Sequence, residues 1–435
     1  MQARIKKQIG PGIIYLLAFL PVIFWFLIEP LSQRFSGLTG WLTSLGQLSG
    51  LVGLAMISLA IILITRLKIF EDYFGGLDKV YRLHHSLDSV GFILILFHPL
   101  ILAAKYLVFS IQSAALFLVP GDYWPQNAGI LALIGLMLFL VMSIFFEKNS
   151  YQLRKLSHKF LGFVYFLALM HSFFIPSDIS RDFALRFYML MLAVAAITAF
   201  VYRALLAKWL VKKYDYVVNS VKILPGKVTE IQMSPAGEVM NYSPGQFIFV
   251  SFYQPGIEKE AHPFSLASSP QDKKLMITVK ALGDYTAKLP GLRLGTLARI
   301  DGPFGRFYDA GQGEQSEIWV AGGIGVAPFL GMARSISGGN KIDFYYCAQS
   351  AEEAPFVDEF ERISAVKKNF RFIPYFSSQQ SCRLSAQNIQ ELSGGLVNKK
   401  IFLCGPPVMM ANLKKQLSEL EVPSFLLSSE EFQLL

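Results

Sequence analysis

The segment Leu83-His84-His85-Ser86-Leu87-Asp88 leads into the charge-free run Ser89 to Ala104, which carries His98 near its end. Ionisable side chains are expensive in hydrocarbon and occur in apolar spans mostly where they face a functional interior. The pattern recurs at Phe160 to Ser177, a run that holds His171 and follows His158. Five of the six histidines, His84, His85, His98, His158 and His171, thus lie in or beside two apolar runs. Four further charge-free runs, Ile9 to Ile28, Gln47 to Thr65, Ala128 to Phe146 and Phe187 to Tyr202, bring the number of spans to six. Each is near the roughly 20 residues that cross a bilayer. With 53% hydrophobic and 16% charged residues among 435, the chain is too apolar for an ordinary soluble or disordered protein.

The first run is not read as a cleavable leader, because five spans follow and Leu27-Ile28-Glu29-Pro30 offers no small-residue cleavage site. Connections at one end of the spans carry 15 Lys and Arg within Arg4 to Lys7, Arg66 to Arg82, Lys148 to Lys159 and Arg203 to Lys213. The other end carries four, Arg34, Lys105, Arg181 and Arg186. The positive-inside rule then predicts a multi-pass protein of the plasma or inner membrane, with both termini and everything after about residue 210 in the cytoplasm. Net charge is +9, but the cations form no Arg/aromatic patch of the kind that binds nucleic acid. Cys347, Cys382 and Cys404 form no C-x-x-C pair, which argues against a disulfide framework, a zinc ribbon and covalent c-type haem attachment.

Fourteen residues separate His84 from His98 and thirteen separate His158 from His171, roughly 20 Å along a helix. Pairing His84 with His158 and His98 with His171 gives two bis-imidazole sites at different depths, suited to two b-type haems. At about 100° per residue, a spacing of 14 returns to within roughly 40° of the same face, whereas 13 misses by roughly 140°. The fifth span then needs a bulge, or its histidines serve different faces. His85 competes with His84, which is preferred because Leu83, His84 and Leu87 keep it on the apolar side. The competing account is a set of hydrogen-bonded membrane histidines or a proton relay.

From Tyr214 the chain turns to short β-branched and aromatic runs, Val228 to Met233, Gln246 to Phe252, Leu275 to Val279 and Thr296 to Ile300, which predict a small antiparallel barrel. From Glu317 the rhythm is strand, glycine turn, helix, with strands at Ile318 to Val320, Ile342 to Cys347, Arg371 to Phe376 and Lys400 to Cys404, a parallel α/β unit. The domains are 1–209, 210–312 and 313–435.

His262-Pro263-Phe264-Ser265 follows a barrel strand. Phe264 can stack on an isoalloxazine ring, Ser265 can hydrogen-bond its N5 edge, and His262 can reach a pyrophosphate. Lys280, Gly283 and Thr286 bracket a turn as a cation, a glycine and a hydroxyl suited to an anion. Asp301 to Gly305 closes the barrel as a turn. Gly322, Gly323 and Gly325, with Pro328 beyond them, form a glycine turn between strand and helix that lets backbone approach a pyrophosphate. Cys404, Gly405 and Pro406 end a later strand and are placed at the nicotinamide site. Near the C-terminus, Phe432 is an aromatic able to cover the flavin face and be displaced by nicotinamide. Ser265, Cys404 and Phe432 are the candidate catalytic residues. Ser377, Ser378 and Arg383 are candidates for a 2′-phosphate, which leans the donor toward NADPH with NADH as the alternative.

Together these residues resemble the ferric reductase/NADPH oxidase superfamily over nearly the whole chain. The resemblance implies that the H-P-F-[ST] motif, His262 to Ser265, contacts FAD and that the G-D-[WY]-T motif, Gly283 to Thr286, holds its phosphates. It also implies that Gly322 to Pro328 and Cys404 to Pro406 form the NAD(P)H site of a minimal bacterial member. Because NAD(P)H gives a hydride and haem iron takes single electrons, FAD bridges the two. The expected path runs from NAD(P)H through FAD and two haems to an external acceptor, O2 giving superoxide. A ferric-chelate reductase shares this path, with Arg34, Lys105, Arg181 and Arg186 as candidate chelate contacts. A proton channel or transporter with a flavin redox sensor is the third reading. No partner subunit is evident.

Overall fold

The computed structural model describes residues 2–145, 151–308, 315–337, 339–379 and 383–430. It divides into two compact units, one of residues 5–74 and 79–210, the other of 211–435 with 1–4 and 75–78.

The first unit holds six long helices: α1 (Gln2–Ile28), α2 (Gly37–Leu63), α3 (Leu77–Ala104), α4 (Trp124–Phe145), α5 (Tyr151–Phe174) and α6 (Phe183–Val201). Five stretches among the described residues, Ile9–Ile28, Gly37–Leu63, Leu77–Val108, Trp124–Met142 and Phe183–Leu210, are long and apolar enough to cross a membrane. The remaining helix, α5, opens on Arg154, Lys155, His158 and Lys159, which lower its hydropathy. It runs antiparallel along α4. Phe139 stacks on Phe160 at 5.2 Å, and a Cβ on Gly135 would lie 2.8 Å from Val164. Small residues likewise let α3 lie close on α2: Gly46 faces Leu102, Gly50 faces His98 and Gly53 faces Ile95. Large side chains such as Leu16, Leu27, Phe163 and Phe187 point outward, as a lipid-facing surface requires.

Helix α2 begins ten residues before Gln47, within a stretch that is uncharged from Phe35 on, and α3 begins at Leu77 with Asp78, Lys79 and Arg82 in its first turns. His84 and His85 are therefore inside a helix, because charges in an end turn do not stop helix formation. Helix α5 is continuous α-helix across His158 and His171, without the bulge considered above; a π-helical segment lies instead at Tyr202–Leu206, after α6.

The second unit contains two sheets. One is antiparallel, with strands β1 (Tyr214–Leu224), β2 (Val228–Pro235), β3 (Phe247–Tyr253), β4 (His262–Ser265), β5 (Leu275–Lys280) and β6 (Leu297–Phe304) in the order β4-β3-β6-β1-β2-β5. The other is parallel, with β7 (Glu317–Gly322), β8 (Ile342–Ala348), β9 (Phe370–Phe376), β10 (Lys400–Cys404) and β11 (Leu427–Glu430) in the order β11-β10-β7-β8-β9. Its central strands are buried on both faces. Trp319, Phe344 and Phe402 pack with Phe329 and Phe360 on one face, and Ile318, Val320, Tyr345 and Leu403 pack with Leu413 and Leu417 on the other. The expected fold class holds: an apolar helical bundle, an antiparallel sheet domain and a parallel α/β domain.

Two local readings change. His262 to Ser265 does not follow a strand but is one, the sheet's edge strand, where Pro263 removes no needed ladder donor. Asp301 to Phe304 is likewise not a turn but the end of β6, with Asp301 opposite Phe249 and Phe304 opposite Phe247. The lobes dock through α7 (Ala327–Arg334). A Cβ on Gly331 would lie 2.6 Å from the Leu266 carbonyl, and Arg334 Nη1 donates to the Ala267 carbonyl at 2.7 Å.

Candidate functional site

In the helical unit, the imidazoles of His98 on α3 and His171 on α5 face each other with ring centroids 6.1 Å apart. His98 Nδ1 lies 2.7 Å from the Gly46 carbonyl and His171 Nδ1 lies 2.9 Å from the Pro125 carbonyl. A carbonyl oxygen only accepts, so each Nδ1 carries the proton and each Nε2 keeps its lone pair, as in metal-bound histidines with an outer hydrogen bond. A metal bonded to both Nε2 atoms at about 2.0 Å would hold the centroids about 6.3 Å apart. The pair therefore fits bis-imidazole ligation. Glycines on two other helices make room for it: a Cβ on Gly50 would lie 2.7 Å from His98 Nδ1, and one on Gly129 would lie 2.6 Å from His171 Nδ1.

One hydrogen bond of the same kind orients His84, which is buried: its Nδ1 lies 2.9 Å from the Ala60 carbonyl. The anchors Ala60 and Gly46 on α2 are spaced like His84 and His98 on the antiparallel α3. His84 Nε2 lies 3.3 Å from Asp88 Oδ2, and Asp88 is within electrostatic range of His85 and His158. His85 and His158 are both exposed. Since α5 is unbroken, His158 and His171 point about 140° apart. The structure thus joins the His98–His171 pair through a ring contact, and it surrounds His84 with Asp88 and His85.

In the antiparallel sheet, β4 aligns His262 with Val250 and Ser265 with Phe247. Ser265 Oγ and His262 Nε2 are buried and have no hydrogen-bond partner among the described residues, while Tyr285 Oη is buried next to the Phe252 backbone. Buried polar atoms left unpaired on β4 are places where a polar ligand completes the bonding. The His262 ring stacks on Tyr285 at 3.6 Å. Burial holds the His262 imidazole below its usual pKa, partly opposed by Glu258, so the ring is neutral at pH 7. Phe264 is half-buried beside them. Thr286 Oγ1 accepts from the Leu282 and Gly283 amides at 3.0 Å each, so this hydroxyl caps its own turn, with Lys280 half-buried at the strand end before it.

At the C-terminal ends of β7 and β10 the two glycine motifs touch. A Cβ on Gly325 would lie 2.4 Å from the Cys404 carbonyl oxygen and 2.7 Å from the Gly405 nitrogen. Gly323 adopts φ +53°, which an L side chain disfavours. Pro328, buried, opens α7. The Met409 methyl lies over both turns, 2.7 Å from a Cβ on Gly322 and 2.5 Å from one on Gly405. Pro406 lies against Gly322 too, its Cδ 2.8 Å from that Cβ. Burial, with the Glu430 carboxylate adding to it, pushes the Cys404 thiol far above its usual pKa, so this residue is a neutral thiol and not a thiolate. Phe432 lies outside the described residues.

Sequence reasoning missed Ala60, Gly46 and Pro125, which act through main-chain carbonyls, and it missed the stacked Tyr285 and the overlying Met409. The spacing of Gly46, Gly50 and Gly53 was the available signal for the α2 surface.

Comparison with known proteins follows the same division. Residues 49–169 match the ferric reductase like transmembrane component, 214–305 an FAD-binding domain and 319–415 an oxidoreductase NAD-binding domain. Dual oxidase 2 of Rattus norvegicus is 25% identical over 299 residues, which is 61% of this chain and 19% of that protein. Respiratory burst oxidase homolog protein D of Solanum tuberosum is 27% identical over 264 residues, 52% of this chain and 30% of that protein. The chain thus spans about a fifth to a third of the length of these relatives. In fold, it is similar to the FAD- and haem-bound flavohemoglobin of Malassezia yamatoensis, with TM-score 0.50 and 19% identity over 79% of this chain and 97% of that one. Three matched segments in this order, on a bundle of apolar helices followed by two further lobes, mean that the chain is an integral membrane protein that joins a ferric reductase like transmembrane component to FAD- and NAD-binding domains and is homologous to NADPH oxidases.

Proposed function

We propose that the protein is a transmembrane oxidoreductase that moves electrons from cytoplasmic NAD(P)H to an acceptor at the external face, with O2 as the acceptor and superoxide as the product. The observation that carries this reading is the His98–His171 pair, 6.1 Å apart and anchored on both sides by carbonyls, in a chain whose antiparallel sheet also carries buried polar atoms of His262 and Ser265 without partners among the described residues. Domain limits of 1–209, 210–312 and 313–435 go with it. When bound, FAD supplies conversion of a hydride into single electrons, and two b-type haems supply one-electron carriers across the bilayer.

The chain's own residues have the following parts. His98 with His171, and His84 with His158, hold the two irons; the carbonyl anchor of His84 favours it over the exposed His85. Ser265 donates to the flavin edge, Phe264 packs on its ring, and the stacked His262–Tyr285 pair presents neutral polar atoms to the rest of FAD. Lys280 contributes charge, while Gly283 and Thr286 shape their turn. Gly322, Gly323 and Gly325 take the nucleotide pyrophosphate, with Pro328 starting the helix behind it. Cys404, Gly405 and Pro406 line the nicotinamide site, where a neutral thiol leaves no competing nucleophile. Phe432 shields the flavin.

A haem held by His98 and His171 would supply single electrons, so oxygen would be reduced one electron at a time. The ferric-chelate alternative loses one of its four candidate cations. Arg34 is buried, its guanidinium 3.9 Å over the Trp25 ring and 2.9 Å from Asp178, so it is not available to an anionic chelate. An anaerobic NAD(P)H titration of the purified protein in detergent, followed by oxygen or ferric citrate, tests the reading. Reduced b-type haem bands should appear and be reoxidised by oxygen. Absence of haem from the purified protein would instead support a channel or transporter with a flavin sensor.

A further inference from the structure

We propose that the turn after β8 makes this protein select NADH over NADPH, with the Glu352 carboxylate as the discriminating group. The inference rests on the nucleotide site proposed above and reverses the lean given by Ser377, Ser378 and Arg383 in the sequence.

Parallel α/β sheets bind nucleotides at the carboxyl ends of their strands; an acidic group beyond the glycine turn receives a ribose 2′-hydroxyl, and a cation receives a 2′-phosphate. Here β8 lies beside β7 on the side away from β10, and its end runs through Ala348-Gln349-Ser350 into a 3-10 turn, Ala351–Glu353. The next strand's turn is stitched to it. The Ser377 and Ser378 amides donate to the Ala348 and Gln349 carbonyls at 3.0 Å each, giving one polar ledge.

The ledge is acidic. Glu352 is exposed, and the Ser350 side chain hydrogen-bonds its carboxylate, which keeps it ionised. Glu353 is exposed too, but its main chain packs on the Pro225–Lys227 turn, with its carbonyl oxygen 2.7 Å from a Cβ on Gly226, whereas the Glu352 carboxylate is the one oriented by Ser350. Two other arginines of this lobe are engaged away from the ledge. Arg334 pairs with Glu359 at 2.7 Å, and Arg371 pairs with Asp343 at 2.8 Å. Arg383 lies beyond the serines, just before the Ala386–Leu392 helix. A 2′-hydroxyl can donate to the Glu352 carboxylate, whereas a 2′-phosphate dianion is repelled by it.

The test is steady-state turnover of the full, FAD-loaded protein with each nucleotide, together with competition by 5′-AMP and by 2′,5′-ADP. We expect kcat/KM for NADH to exceed that for NADPH by about tenfold or more, the scale of a like-charge contact near a surface. 5′-AMP should compete better than 2′,5′-ADP. Glu352→Gln should bring the ratio toward one through the KM for NADPH, Glu352→Arg should invert it, and Glu361→Gln, another exposed acid, should leave it unchanged. Equal use of both nucleotides by the unmodified protein, preference for NADPH, or a ratio untouched by Glu352→Gln would overturn this inference alone. If neither nucleotide reduces the flavin, the proposed function falls as well.

Discussion

Replacing Gly129 by alanine should remove one haem and leave the rest of the protein standing. The added Cβ would sit 2.6 Å from His171 Nδ1, 2.8 Å from Cγ and 2.9 Å from Cε1, against a normal contact of about 3.5–4.0 Å. The ring cannot simply move aside, because its Nδ1 proton is held by the Pro125 carbonyl at 2.9 Å and its Nε2 would be committed to iron. Overpacking costs about 1–3 kcal/mol, and loss of the anchoring hydrogen bond adds about 0.5–1.5 kcal/mol. Together these weaken ligation by about tenfold to a thousandfold. The helix itself gains, since alanine is a better helix former than glycine by about 1 kcal/mol. Haem per FAD, measured on the purified protein, should fall toward half, with the residual haem still reducible. Gly12→Ala, where a Cβ meets nothing within 4 Å, is the control. Two full haems with unchanged spectra in Gly129→Ala would refute the reasoning, because the cradle would then not be shaped by a ligated His171.

Substituting either outer histidine, His98→Leu or His171→Leu, should remove the same single haem and leave the other; loss of both haems, or of neither, would overturn the pairing. Phe432→Ala should alter nicotinamide KM or turnover with FAD still bound, and unchanged kinetics would make that ring mere packing. Burial pushes the Cys347 thiol up to about 12 and raises the Cys404 thiol well above its usual value. Raised pKa values keep both thiols protonated below that range, so iodoacetamide at pH 8 should label neither in the folded protein; rapid labelling of Cys404 would contradict its neutral role.

The histidine spans, the glycine turn and the Cys404–Pro406 motif were legible because each writes its chemistry into local sequence. The carbonyl anchors were not, since any residue supplies a carbonyl and only the α2–α3 and α4–α5 registers bring Ala60, Gly46 and Pro125 to the imidazoles. Strand β1 was missed because Asp215, Asn219, Ser220 and Lys222 interrupt its apolar pattern. Strand β4 hid behind Pro263, which is tolerated only because the strand lies at an edge. Helix starts ran ahead of the charge-free runs because end-turn charges remain helical, as at Asp78 and Lys79. Thr286 adds a contact that its residue type does not reveal: its hydroxyl accepts two amides of its own turn.

The most direct test of the account is cytochrome c reduction by the purified protein in aerobic detergent, driven by NADH or NADPH, with and without superoxide dismutase. A haem held by two imidazoles would supply single electrons and oxygen would leave as superoxide, so nucleotide-dependent reduction that the dismutase abolishes is expected. Cytochrome c reduction that persists in full with dismutase, together with reduced haems that oxygen fails to reoxidise, would contradict it and make ferric chelates the acceptor.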